Sequence, residues 1–273
     1  MQIISNPLEL QEYLKTQKGS VGFVPTMGAL HEGYISLIKR AREDNELLVV
    51  SIFLNPTQFL KGEDLDSYPT KDEADKKICE LSGVDVLFFP NVEDMYGSDE
   101  VSLQAPHVRG YVLEGATRPG HFSGVLTVVM KLLNIVNPSN AYFGKKDAQQ
   151  LNLITLMVKQ LFMSVNVVPM DTVRESDGLA LSSRNVYLNT YDRKEALKIS
   201  ASLRVATKMV SSGVLNTQEI IQNMRETLYP LEIAYVAILN RDFENIQSVE
   251  IGNSVILVEA IAGETRLLDN LWL

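Results

Sequence analysis

An α/β fold, built on a doubly wound, Rossmann-like parallel sheet and followed by a smaller α+β domain, is what this 273-residue chain predicts. Three observations carry that expectation. Through the first two-thirds, short β-branched or aromatic runs alternate with longer amphipathic segments, as strands and crossover helices do. Residues 47–54 form a near-continuous apolar run, the pattern of a parallel strand covered on both faces. After Asn185 the alternation gives way to two helical segments and then a few strands. The boundary is therefore placed at 184/185, giving domains 1–184 and 185–273.

Taken in order, residues 21–25 are a brief apolar strand, and 30–43 a helix with Leu37, Ile38 and Ala41 on one side. Residues 47–54 are the buried strand, and a polar segment runs from there through Glu80. Residues 84–89 form another strand, which stops at Pro90. An apolar helix over 124–136, a strand over 141–143, a helix over 151–161 and a strand over 165–169 complete the first domain. In the second, 192–212 and 217–228 are helices separated at Gly213, and 234–240, 254–261 and the chain end are strands joined by turns. In a doubly wound sheet, ligands bind in the crevice beyond the carboxyl ends of the strands.

Composition excludes several function classes. Hydrophobic residues make up 45% and charged residues 22%, which is enough apolar surface for a core without staples. Lys plus Arg total 25 against 34 Asp plus Glu, a net charge of −9, so no global positive field exists to displace counterions from nucleic acid. Cys79 is alone, which rules out an intramolecular disulfide or a thiolate metal cluster. The apolar stretches 125–136 and 255–262 are short or interrupted by Lys131 and Glu259, too little to span a bilayer. The first ten residues lack a basic region followed by an apolar one. A soluble, cytoplasmic protein with no membrane or nucleic-acid partner is expected.

The chemistry concentrates in a few segments. Pro25-Thr26-Met27-Gly28-Ala29-Leu30-His31-Glu32-Gly33-Tyr34 lies between a strand and a helix. Its glycines allow close backbone approach, and a helix start offers N–H groups to phosphate. His31 there can bond phosphate oxygens or make a structural loop contact; at such a junction the two readings stand level. Gly144-Lys145-Lys146-Asp147 precedes a helix whose N-terminus disfavours cations unless an anion is bound. A solvated charge pair before a capped helix is the alternative. Ser182-Ser183-Arg184 suits a clamp on a triphosphate, although serine-rich junctions are common. Gln58, just after a strand, and Gln150, in the first turn after the lysine loop, could hold a small polar substrate or serve as turn and cap residues. Arg118 and His121 add positive charge and an imidazole to whichever pocket they reach. Gly115-Ala116-Thr117-Arg118-Pro119-Gly120 has P-loop glycine spacing, but His121-Phe122 replaces the Lys-Ser/Thr pair.

Residues 25–34, 55–59, 63–69, 114–122, 142–150 and 177–185, with the closing Thr265-Arg266-Leu267-Leu268-Asp269-Asn270, resemble in order and spacing the pantoate–β-alanine ligase family. The resemblance implies a nucleotidylyltransferase-type fold and a two-step reaction. ATP and (R)-pantoate give pantoyl adenylate and pyrophosphate; β-alanine then displaces AMP to give pantothenate. It also implies ATP used with Mg²⁺, no tightly bound organic cofactor, no protein metal site and a homodimer. Position by position, ATP contacts fall on Met27, Gly28, Ala29, Leu30, His31, Glu32, Gly33, Tyr34, Gly144, Lys145, Lys146, Asp147, Val173, Leu181, Ser182, Ser183 and Arg184. Substrate contacts fall on Gln58 and Gln150, with Arg118 at the edge of the same pocket. Catalytic roles fall on His31, Tyr34, Lys146 and Arg184. Domain 1–184 then binds nucleotide and pantoate, and 185–273 acts as a lid hinged at residues 177–185.

One position departs from the family pattern. Tyr34 stands where the His-x-Gly-His signature has its second histidine, usually the proton donor. A phenol with a reference pKa of ~10 can donate a hydrogen bond but cannot become cationic. An active but slowed ligase is expected; the alternative is an ATP-binding homologue that Tyr34 has weakened catalytically. A nucleotidylyltransferase that transfers AMP onto a phosphate is the other enzyme reading.

Overall fold

Six parallel strands carry the N-terminal two-thirds of the chain in the computed structural model, which describes residues 1–273. They are β1 (Gln2–Ile4), β2 (Val21–Thr26), β3 (Leu47–Ile52), β4 (Val86–Phe88), β5 (Asn140–Gly144) and β6 (Asn166–Met170), in the order β1-β4-β3-β2-β5-β6. Helices α1 (Pro7–Lys15), α2 (Glu32–Asp44), α3 (Asp72–Leu81), α4 (Val92–Met95), α5 (Glu114–Thr117), α6 (His121–Val136) and α7 (Ala148–Gln160) connect them. β3 is buried at every residue because it pairs in parallel on both sides, with β2 and β4. Leu37, Ile38 and Ala41 of α2 pack against Val24, Leu48, Val50 and Cys79. Burial pushes the Cys79 thiol up to about 12, which leaves it inert. The strand order reverses between β2 and β5, where a doubly wound sheet opens its ligand crevice.

The C-terminal part folds as an antiparallel sheet in the order β7 (Glu232–Asn240), β8 (Ser254–Ala262), β9 (Thr265–Trp272), with α8 (Thr190–Ser211) and α9 (Thr217–Leu228). Asn189 and Asn216 cap the two helices through their side chains, and Gly213 ends the first at φ +87°. Ile199, Leu203, Ile220 and Met224 from the helices meet Val236, Ile238, Ile256 and Val258 from the sheet. The α/β architecture with a smaller α+β part is thus as expected.

The compact units divide differently from 184/185. One comprises Met1–Gly144 and Leu153–Met170, the other Lys145–Asn152 and Asp171–Leu273. Residues 171–184 join the second unit because Arg174 forms an ion pair with Asp269 of β9. The 145–152 segment joins it through backbone contacts to Asn270 and through Asn152, which donates to the Arg241 carbonyl. Sequence pattern missed β1, α1, α3, α4 and α5. In α3, only Asp75 and Cys79 are buried, so the apolar stripe that marks a helix is nearly absent. No helix is long and apolar enough to cross a membrane.

α6 approaches the turn after β3 so closely that position 124 has no room for a side chain. A Cβ on Gly124 would lie 2.3 Å from the Thr57 carbonyl oxygen and 2.8 Å from the Gln58 nitrogen. Both are backbone atoms, so the helix or the turn must move. Gly124→Ala is expected to cost about 1–3 kcal/mol, the usual range for overpacking, measured as a lowered unfolding midpoint.

Candidate active site

The loop after β2 is closed by bonds within its own unit. Thr26 Oγ1 donates to the Ser51 carbonyl (2.8 Å) and accepts from the Gly28 N–H (3.3 Å). Gly28 and Ala29 then take φ of +88° and +51°, and the buried carboxylate of Asp75 accepts from Ala29 N–H (2.7 Å) and Leu30 N–H (2.8 Å). Burial raises the Asp75 pKa, and the two N–H bonds oppose the rise. The amides of Ala29 and Leu30 are therefore already satisfied inside the protein. His31 is the N-cap of α2, its Nδ1 accepting from the Gly33 N–H at 3.2 Å. With Nδ1 an acceptor, the neutral ring carries its proton on Nε2. The Tyr34 ring packs on His31 with centroids 4.7 Å apart at 34°, and also against the α2 core cluster.

The second loop of this unit holds Gln58. Asn55 caps a 3-10 turn over Pro56–Gln58, and its Nδ2 donates to Gln58 Oε1 (3.1 Å). Gln58 Nε2 donates to Met27 Sδ (2.9 Å), so two expected site residues, Gln58 and Met27, meet. The Gln58 carbonyl accepts from His121 Nδ1 (2.7 Å) and Arg118 Nη2 (3.3 Å).

Arg118 lies buried within the first unit. It is 4% exposed. Its Nε and Nη2 donate to the Glu63 carboxylate, both at 2.6 Å; Nη1 donates to Glu114 (3.1 Å) and to His121 Nε2 (2.9 Å). With the Gln58 carbonyl, these acceptors account for all five guanidinium N–H groups. Arg118 thus acts on the loop backbone through Gln58. Burial disfavours its charge, but Glu63 and Glu114 outweigh this and raise its pKa. His121 is held neutral by burial and then by Arg118, its pKa lowered. The positive charge expected from this pair is cancelled by two carboxylates.

Glu32 opens α2 and Gly144 ends β5 in the first unit; the site residues from Lys145 onward, Gln150 included, belong to the second. Lys145 pairs with Asp171 at 2.6 Å, while the Lys146 ammonium stands 3.5 Å from Asp147. Gln150 is half-buried in the first turn of α7. Val173 and Leu181 face each other across a hairpin, the Leu181 N–H donating to the Val173 carbonyl (3.0 Å). Gly178 turns the hairpin at φ +93°, and Arg193 bridges Glu175 and Asp177. Ser182 caps the 3-10 turn Ser183–Tyr187 by accepting from the Arg184 N–H (3.3 Å). Asp75, Asn55, Glu63 and Glu114 had no role in the residue-by-residue reading. A carboxylate bonded to amides 45 and 46 positions away leaves no local signal.

Two outcomes follow for the buried cluster. Arg118→Met leaves Glu63 and Glu114 without their cation, and loss of one partner of a buried pair costs about 3–5 kcal/mol, measured by denaturant unfolding. Acidification from pH 7 to 5 crosses the ordinary histidine pKa near 6.5, where the unfolded chain takes up a proton that buried His121 resists. Stability is fully present above that pH and lost below it, by at most ~1.4 kcal/mol per pH unit for one proton. His121→Asn should flatten this part of the stability profile.

Comparison with known proteins agrees along the whole chain. The sequence profile of the family described as Pantoate-beta-alanine ligase matches residues 2–272. A protein named pantothenate synthetase from Sulfurimonas denitrificans is 72% identical over 273 residues, covering all of both chains. The crystal structure of pantothenate synthetase from Thermus thermophilus superposes with a TM-score of 0.95 at 41% identity, over 99% of each chain. That of a pantoate-beta-alanine ligase from Francisella tularensis, complexed with beta-gamma ATP and beta-alanine, gives 0.83 at 36% identity, over 100% of this chain and 97% of that one. The site loops, the fold that carries them and this full-length similarity lead to one conclusion: the chain belongs to the pantoate–β-alanine ligase family.

Proposed function

We propose that this chain condenses (R)-pantoate with β-alanine in the cytoplasm, at the expense of ATP and through pantoyl adenylate. The observation that carries the reading is the full-length match to the Francisella tularensis ligase solved with an ATP ligand and β-alanine. In the first step a pantoate carboxylate oxygen attacks the α-phosphorus; the bond to the bridging oxygen breaks and pyrophosphate leaves. In the second, the β-alanine amine attacks the acyl carbon, AMP departs with the former carboxylate oxygen, and the nitrogen loses its proton. Little covalent chemistry is asked of the protein, so positioning and charge neutralisation supply most of the rate.

The residue roles rest on the family resemblance, with the local geometry beside it. His31, its Nδ1 held by the Gly33 N–H, presents Nε2–H as a donor to phosphate oxygen. Lys146 and Arg184, with Ser182 and Ser183, neutralise the triphosphate and the leaving pyrophosphate. Gly144, Lys145, Asp147, Val173 and Leu181 border the same nucleotide. Gln58 and Gln150 hold pantoate. Arg118 serves the substrate indirectly, by fixing the Gln58 carbonyl. Mg²⁺, which the family resemblance implies, would arrive on the phosphates as part of the nucleotide substrate. The family resemblance supports a homodimer. The binding-only alternative has no observation in its favour.

Purified protein supplied with ATP, Mg²⁺ and pantoate should release pyrophosphate, and faster with β-alanine present. Release independent of pantoate would reject the reading. Tyr34→His restores an imidazole acid and should raise the adenylation rate, within the ~10²–10⁴-fold range of general acid catalysis. A single-turnover rate that stays level or falls would limit Tyr34 to packing on His31.

A further inference from the structure

The closing 265–270 segment has no part in the chemistry above, yet its last two residues are buried polar groups, Asp269 at 3% and Asn270 at 4% exposure. β9 pairs Asp269 with Val258 and Asn270 with Leu257, so the two side chains leave the strand on opposite faces. On the face of Val258, which α8 and α9 cover, Asp269 accepts from both terminal nitrogens of Arg174 (2.5 and 2.8 Å). On the other face, Asn270 Nδ2 donates to two successive carbonyls, those of Lys145 (2.9 Å) and Lys146 (2.6 Å). Trp272, two residues on and on the same face, directs Nε1 to the Lys145 carbonyl at 3.4 Å.

We infer that Asn270 is a positioning residue for the nucleotide, acting through the Lys145–Lys146 turn; this rests on the ATP-binding role proposed above for Lys146. One side-chain amide has two donors, and here both serve neighbouring carbonyls of the turn. In a trans peptide the N–H lies opposite the C=O. The N–H groups of Lys146 and Asp147 are therefore turned away from Asn270, and the Cα from which the Lys146 ammonium extends is fixed with them. The neighbouring Lys145 ammonium is held at 2.6 Å by Asp171, which separates the two lysines: one is tied down, the other is set by its backbone. Lys146 so placed needs no reorganisation when a polyphosphate arrives. An aspartate at 270 has the same shape but turns an acceptor on two acceptors.

The test compares the parent with Asn270→Asp, Asn270→Gln and Lys146→Ala. Each protein is checked for a cooperative unfolding transition, and its ATP affinity is measured by calorimetry alongside adenylation kinetics. Folded Asn270→Asp should bind ATP roughly tenfold more weakly with KM for ATP raised to match, while β-alanine KM with preformed pantoyl adenylate stays level. Asn270→Gln, which keeps the donors, should recover part of the loss and supplies the comparison if the aspartate variant does not fold. In the Lys146→Ala background, Asn270→Asp should add little. Unchanged ATP affinity in either folded variant, or fully additive losses with Lys146→Ala, overturns the proposal. A parent that binds ATP but shows no pantoate-dependent turnover rejects the ligase reading alone, with the ATP affinities still deciding Asn270; a parent that binds no ATP rejects both.

Discussion

Loops at the carboxyl ends of parallel strands carry backbone N–H and C=O groups that no ladder satisfies, and a buried loop cannot leave them open. Here, buried polar side chains from far along the chain close them. Asp75 takes the amides of Ala29 and Leu30. Arg118 and His121 together take the carbonyl of Gln58. Asn270 takes the carbonyls of Lys145 and Lys146. In each case the anchor binds backbone next to a candidate functional side chain. The positive φ at Ala29 is held by this arrangement, since a left-handed non-glycine residue persists only where its surroundings over-determine it.

Charge is handled in the same local way. A chain of net charge −9 has no global positive field, so any anion it binds must be neutralised by close contacts. Two cations that look equivalent in sequence are separated by their neighbours. Arg118 is closed in by Glu63, Glu114, His121 and the Gln58 carbonyl. Lys146, near only the more exposed Asp147 at 3.5 Å, keeps a weakly paired ammonium. Tyr34 fits this pattern too: a neutral ring at 4.7 Å from His31 supports the imidazole without adding a charge.

Much of the fold was legible because its signals are local. The run at β3, the period of α2 with Leu37, Ile38 and Ala41 inward, and the two capped C-terminal helices all lie within a few residues of their cause. α3 escaped because its buried positions are only Asp75 and Cys79, and a buried aspartate reads as surface until its partners are known. The 184/185 boundary differed from the compact units for a similar reason. The bonds that join 171–184 and 145–152 to β9 come from residues 269 and 270.

The amino-acid order alone determined the fold class, the loops that bear His31, Gln58, Lys146 and Arg184, and the family, because strand periodicity and glycine-bounded motifs are written in consecutive residues. Tertiary structure decided which partners each buried polar residue meets. Whether a carboxylate, guanidinium or amide meets ligand, ion partner or backbone depends on groups 45 to 125 positions away. Burial then fixes the answer, since a desolvated polar group must bond whatever the fold sets beside it.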